Sequence, residues 1–251
     1  MFLHADRDGT GPPIVLVHGF TQTRRCWGPE AVDLARDHEV IRVDAPGHGR
    51  SSDVVAGLRS GARLIADQGG EATYLGYSMG ARFCLHVALS NPELVRGLVL
   101  LGGTAGIEDP AERSARRDHD LTTAARLREL GVPAFLEGWL DQPLFASLPA
   151  DRAFLDERLE NTVDGLASSL EQSGTGSQDP SWDRVHQLAM PVLVLAGGSD
   201  PKFTRLAERL AEAIGTNATM AVVPDAGHAA HLEQPDAFLA ILRPWLAAHG
   251  L

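Results

Sequence analysis

The pentapeptide Gly76-Tyr77-Ser78-Met79-Gly80 restricts this chain more than any other stretch, because it joins a strand-like run to a run with helical spacing. A serine on so sharp a strand-to-helix turn is held in a strained backbone conformation with its hydroxyl exposed. Glycines must flank it, since side chains there would collide with neighbouring elements. The rest of the chain supplies the context this turn requires. Short β-branched runs predict strands at Ile14 to Val17, Val40 to Val43, Thr73 to Tyr77, Leu98 to Leu101, Val192 to Leu195 and Met220 to Val223. Helical spacing of Leu, Ala and Ile predicts helices at Ala31 to Arg36, Leu58 to Asp67, Met79 to Ser90, Phe203 to Ile214 and Ala237 to Ala248. Strands alternating with helices and punctuated by glycine are the pattern of a doubly wound, mostly parallel α/β sheet.

The alternation stops between about Thr104 and Leu188, where every run is helix-like, rich in charge and punctuated by Pro110, Pro133, Pro143, Pro149 and Pro180. This reads as a helical cap, residues 104–187, inserted between two strands of one core formed by residues 1–103 and 188–251. A chain of 251 residues that is 44% hydrophobic is large enough for such a core. Its 22 basic and 33 acidic residues leave a formal charge of −11, which argues against nucleic acid or an anionic membrane surface and favours a small molecule as partner. Two cysteines, Cys26 and Cys84, are too few for a disulfide framework and read as buried thiols; nothing has paired metal-ligand spacing. No leader pattern and no run of about 20 apolar residues is present, so a soluble, cytoplasmic protein is expected.

A serine hydroxyl is inert near neutral pH unless a base accepts its proton, so a histidine and an orienting carboxylate should follow Ser78. His228 lies in the loop after the last predicted strand, and Asp200 in the loop after the strand before it. The order Ser, Asp, His and the placement at carboxyl ends of strands suit an α/β site. Asp225 and His231 compete for the same roles. His18 and the turn-rich loop Asp44 to Gly49 read as architecture, with the backbone N–H groups of Phe20 and Met79 forming an oxyanion hole. Arg82, four residues after Ser78, can point back toward the serine or lie on a solvated helix face. The same two readings apply to Arg113, Arg116, Arg117 and Arg158. Convergence on one pocket would indicate a substrate with several carboxylates. Trp139 and Phe145 fit either a helical core or a pocket lining.

Several separate segments together resemble the 2-succinyl-6-hydroxy-2,4-cyclohexadiene-1-carboxylate synthases of menaquinone biosynthesis, which have the α/β-hydrolase fold. They are Gly76 to Arg82, Gly106-Ile107-Glu108 leading to Arg113 and Arg116, Trp139 with Gln142 to Phe145, Gly174-Thr175-Gly176, Asp200 to Phe203, and Gly227 to His231. The resemblance implies a triad of Ser78, Asp200 and His228, substrate carboxylates bound by Arg82, Arg116 and Arg158, and a pocket lined by Trp139, Phe145 and Tyr77. It also implies loss of pyruvate from a carboxylate-bearing substrate by proton abstraction, with no metal or organic cofactor required. Two other readings remain open: a serine hydrolase acting on esters or carbon–carbon bonds, and a non-catalytic receptor that retains the pocket. Buried arginines gathered at Ser78 would separate the first from the lyase, because neutral esters gain nothing from them.

Overall fold

The computed structural model describes residues 2–251. Among them, seven strands form one sheet: β1 (Ala5–Asp8), β2 (Pro13–Val17), β3 (Glu39–Val43), β4 (Ala72–Tyr77), β5 (Val95–Leu101), β6 (Val192–Gly197) and β7 (Ala218–Val223). Their spatial order is β1-β3-β2-β4-β5-β6-β7, with β1 antiparallel to β3 and every other pair parallel. Six of these strands are those that the apolar runs predict. The seventh, β1, has the sequence Ala-Asp-Arg-Asp and no apolar pattern. It is an edge strand ordered by its backbone ladder and by ion pairs such as Arg7 to Glu39 at 2.8 Å. Charge at an edge also discourages pairing with another chain.

The helices are α1 (Gly28–Leu34), α2 (Leu58–Gly69), α3 (Met79–Ser90), α4 (Pro110–Leu140), α5 (Leu155–Arg158), α6 (Val163–Ser173), α7 (Pro201–Ile214), α8 (Ala230–Glu233) and α9 (Pro235–His249). Successive side chains of a strand point to opposite faces, and both faces are covered here. Val15, Val17, Ile41 and Val43 pack with Ile65 of α2, Phe83 of α3 and Leu210 of α7. Ile14, Leu16, Leu75 and Leu193 pack on the other side with Trp27, with Leu34 of α1, and with Phe238 and Leu242 of α9. Each such fully buried side chain contributes about 1.5–3 kcal/mol relative to exposure. Cys26 and Cys84 are both buried thiols.

No strand occurs between Leu101 and Val192; the chain there forms α4, α5, α6 and short 3₁₀ turns. Ala124, Leu127 and Leu136 of α4 pack against Leu166 and Leu170 of α6 as a separate apolar cluster. Helix α4 bends at Gly131, where φ is +74°, and Pro133 follows, which lacks the N–H that a continuous helix would use. Beyond the bend, Trp139 packs against Phe20, which follows β2, and Phe135 stacks on Trp139 from the helical cluster.

One group in α1 conflicts with its surroundings. Glu30 is fully buried, and neither carboxyl oxygen has a hydrogen-bond partner among the described residues. Burial pushes its carboxyl up to about 7, above the usual value of about 4.5 that applies once the chain unfolds. The folded state therefore holds this proton more tightly, and stability falls as pH rises from the lower value through the higher. Glu30→Gln should raise stability at pH 8 by about 1–3 kcal/mol while changing little at pH 4.5. Chemical denaturation of both proteins at the two pH values checks this. An equal effect at both would show that ionisation of Glu30 is not the cause.

Candidate active site

The parallel register brings the carboxyl ends of β2, β4, β5, β6 and β7 to one edge, and the loops that leave them carry the polar residues. Between β4 and α3 the chain turns at Ser78 with φ +52° and ψ −106°, a conformation that non-glycine residues rarely adopt. The flanking glycines make it possible. A Cβ on Gly76 would lie 2.3 Å from the Gly80 backbone, and one on Gly80 would lie 2.0 Å from the Val17 carbonyl oxygen. The Ser78 N–H donates to the Leu101 carbonyl at 2.8 Å, tying the turn to β5.

His228 Nε2 lies 3.0 Å from Ser78 Oγ, and its Nδ1 lies 3.0 Å from Asp200 Oδ2. Asp200 is also the N-cap of α7, where its Oδ1 accepts from the Phe203 N–H at 3.1 Å. Burial works to raise the Asp200 carboxyl, but the His228 hydrogen bond, the Phe203 N–H and the charges of His228 and Lys202 outweigh it and hold it below the ordinary carboxylate range. It is therefore ionised at neutral pH, as an acceptor that orients an imidazole must be. The competitors stand elsewhere. Asp225 is exposed, and its backbone is left-handed at φ +54°. His231 is fully buried behind Tyr77, with ring centroids 4.5 Å apart, and burial holds it neutral with a value of about 3.

Phe20 and Met79 both border the cavity at Ser78. The Met79 N–H opens α3, where no preceding turn exists to accept it. His18 is buried architecture: its Nε2 accepts from the Ala45 N–H at 3.0 Å, joining the loops after β2 and β3. Asp44 does the same, accepting from the Arg24 N–H at 2.8 Å, the Arg24 guanidinium at 2.9 Å and the Arg50 N–H at 2.9 Å.

Two chambers meet at Ser78. The larger, about 510 Å³, runs out between Thr104 to Glu112 and α7. The smaller, about 160 Å³, lies under the inserted helices. Both are bordered by Ser78, Arg82, Arg116, Lys202 and Phe203. Tyr77, Trp139, Phe145, Arg158 and His228 line the smaller. Arg82 is buried and donates to the Ser173 carbonyl at 2.8 Å. Burial, with Arg116 adding to it, brings its guanidinium down to about 10, so it stays charged at neutral pH. Arg116 pairs with Asp120 at 2.8 Å, and Asp120 is anchored in turn by the Gly176 N–H at 3.0 Å. Arg158 is 1% exposed and is held by the Ala153 carbonyl at 2.7 Å and by the Thr21 hydroxyl. Among the described residues no carboxylate forms an ion pair with Arg82 or Arg158. Arg113 instead caps the chain ahead of α4 through the Ile107 and Glu108 carbonyls, and Arg117 is exposed.

The aromatic residues pack in series, edge to face or tilted: Phe20 against Trp139 with centroids 5.1 Å apart, Trp139 against Phe145 at 6.0 Å, and Phe145 toward His228 at 6.4 Å. They serve as helical core and chamber wall at once. Among the described residues no three His, Cys, Asp or Glu side chains gather as a metal site, and no helix is long and apolar enough to cross a membrane.

With this geometry established, residues 14–241 match the model of the Alpha/beta hydrolase family. The chain is 34% identical, over 97% of its length, to the 2-succinyl-6-hydroxy-2,4-cyclohexadiene-1-carboxylate synthase of Salmonella newport (strain SL254) and covers 100% of it. It is 32% identical, over 95% of its length, to that of Serratia proteamaculans (strain 568), covering 94% of it. The structure of MenH from S. aureus superposes with a TM-score of 0.90 at 27% identity, covering 100% of this chain and 99% of that one. The chain belongs to the α/β-hydrolase family, within its 2-succinyl-6-hydroxy-2,4-cyclohexadiene-1-carboxylate synthase branch. It is an enzyme of that superfamily.

In this α/β hydrolase two site features escape sequence reasoning. Lys202 and Phe203 follow Asp200 and border both chambers, with the Phe203 ring centroid 4.3 Å from that of His228. The stretch Asp200-Pro201-Lys202-Phe203 carries that signal, but only as part of a motif. Glu233 is the second feature; its carboxyl takes the N–H groups of Gly227 and Ala229.

The hydrogen-bonded chain predicts the reactivity of Ser78 without reference to any substrate. A fluorophosphonate should label wild type at Ser78 and leave Ser78→Ala unlabelled. His228→Ala and Asp200→Asn should slow labelling by about 10²–10⁴-fold, while Asp225→Asn should stay within about twofold. Labelling rates measured by intact mass decide. A large loss for Asp225→Asn with none for Asp200→Asn would reassign the acid.

Proposed function

We propose that this enzyme eliminates pyruvate from 2-succinyl-5-enolpyruvyl-6-hydroxy-3-cyclohexene-1-carboxylate, using Ser78, His228 and Asp200 for proton abstraction. The observation that carries this reading is the gathering of Arg82, Arg116 and Arg158 around the cavity at Ser78, two of them buried and, among the described residues, in no ion pair with a carboxylate. A buried guanidinium held only by neutral acceptors is costly, and a ligand carboxylate would supply its counter-charge. The substrate has a carboxylate on the ring, one on the succinyl arm and one on the enolpyruvyl group, and planar guanidinium forks suit such anions. The names of the relatives agree with that chemistry.

In the proposed reaction His228 draws the Ser78 proton, and the Ser78 oxygen takes the proton next to the succinyl ketone. The released electron pair moves through the ring double bond and breaks the carbon–oxygen bond to the enolpyruvyl group, which leaves as pyruvate enolate and regains a proton. Asp200 stabilises the charge that appears on His228. The N–H groups of Phe20 and Met79 meet the negative charge that develops on the ketone oxygen. Serine need not be acylated, so the same apparatus that serves ester hydrolysis in other members here serves elimination. Trp139, Phe145 and Tyr77 wall the smaller chamber and exclude water from the reacting carbon.

Given that substrate and no added metal or cofactor, purified enzyme should release pyruvate, measured by coupling to lactate dehydrogenase, with short aryl esters far poorer substrates. Arg82→Ala, Arg116→Ala and Arg158→Ala should each lower kcat/KM by about 2–5 kcal/mol equivalent, the half-exposed Arg116 least. Lysine replacements should recover part of the loss, because a point charge lacks the bidentate fork. Absence of pyruvate together with brisk ester hydrolysis would replace this reading with the hydrolase one.

A further inference from the structure

We propose that Glu233 is the positioning residue for His228: by gripping the backbone on both sides of the histidine, its carboxylate sets the imidazole between Ser78 and Asp200. This rests on the reading of His228 as the base that activates Ser78. Glu233 Oε2 accepts from the Gly227 N–H at 2.6 Å, and Oε1 accepts from the Ala229 N–H at 2.9 Å. The two donors bracket His228 in sequence, so the one residue between them, whose ring reaches Ser78, is held from its own backbone outward.

The opposite side of the same loop is fastened to the loop that carries Asp200. The Ala226 carbonyl accepts from the Ser199 N–H at 2.8 Å, one residue before the aspartate. The two loops touch so closely that a Cβ on Gly197 would lie 2.0 Å from the Gly227 carbonyl oxygen. Above, a Cβ on Gly227 would lie 2.4 Å from Ser147 Oγ of the inserted segment. Two of the loop's N–H groups thus go to Glu233 and the Ala226 carbonyl to the acid loop, so it is held from both sides. Helix capping does not account for this. Ala229 is the N-cap of α8, and a capping box would take its returning carboxyl from the third helical residue, Leu232, whereas Glu233 is the fourth. The shorter bond, to Gly227, reaches two residues outside the helix and serves only the histidine loop.

Glutamine is nearly isosteric but offers one acceptor oxygen, so Glu233→Gln must release one of the two N–H groups and leave the other bond neutral. A displacement of the base by about 1 Å is enough to cost about 10²-fold in rate. We expect Glu233→Gln to lower kcat for pyruvate release by 10- to 100-fold, with KM within about twofold, and to slow fluorophosphonate labelling of Ser78 by a similar factor. Glu233→Asp keeps two acceptor oxygens on a shorter arm and should fall between glutamine and wild type in both assays. Labelling needs no pathway substrate, so it tests the proposal even where wild type releases no pyruvate; wild type that is not labelled at all would instead refute the base assignment beneath it. A variant with a lowered thermal midpoint but wild-type kcat and labelling rate well below that midpoint would make Glu233 a stabilising cap and overturn the proposal. So would a KM effect with kcat unchanged, or failure of both variants to fold.

Discussion

The approach of α3 to the end of β2 is the contact on which the rest of the site depends. At Gly80 the first turn of the helix lies so near the Val17 carbonyl that not even a methyl group fits, and at Gly76 the strand backs onto the same turn with no more room. That closeness forces the chain through Ser78 in a left-handed conformation and lifts the hydroxyl above the sheet edge. It also brings the Met79 N–H beside the loop that begins at the end of β2. Stored strain at this point is sustained by sheet strands buried on both faces.

Around this rigid turn, charge is arranged in an uneven way. The protein carries a net charge of −11, yet the charged side chains that line the smaller chamber are Arg82, Arg116, Arg158 and Lys202, whereas the larger chamber also has Glu108, Asp109 and Glu112 on its wall. Arg82 and Arg158 are fastened by neutral acceptors, carbonyls and a hydroxyl, which orient the forks without cancelling their charge. Arg116 is the exception, tethered to Asp120 and more exposed. A neutral fastening preserves the pull on an anion, and the positive charge is concentrated in the smaller chamber.

Much of this was legible beforehand, for physical reasons that differ by element. The strands β2, β4, β5 and β6 lie inside the sheet, so their apolar runs are nearly continuous and easily read; β7 is an edge strand with Thr219 and Val222 exposed but keeps a readable apolar run, whereas β1 depends on backbone pairing and ion pairs at the other edge, and its four residues carry no such mark. Ser78, Asp200 and His228 could be aligned because parallel strands end on one edge, so the loop after each strand has a known address. The arginines were harder. Arg113, Arg116 and Arg117 lie on one helix, and only the packing of α4 on α6 decides which of them turns to the cavity. Glu233 was missed because its partners are backbone N–H groups, which leave no trace in residue type.

Lys202 brings a practical consequence. It is the chain's only lysine, and it stands next but one to the acid of the site and on the border of both chambers. Side-chain primary amines are the usual targets for attaching dyes, spin labels and solid supports, and most enzymes present them all over their surface. Here such chemistry has a single side-chain address, at the meeting point of the two chambers. A reporter on the Lys202 amine would therefore stand at the border of the cavity, and a support attached through Lys202 would lie against it.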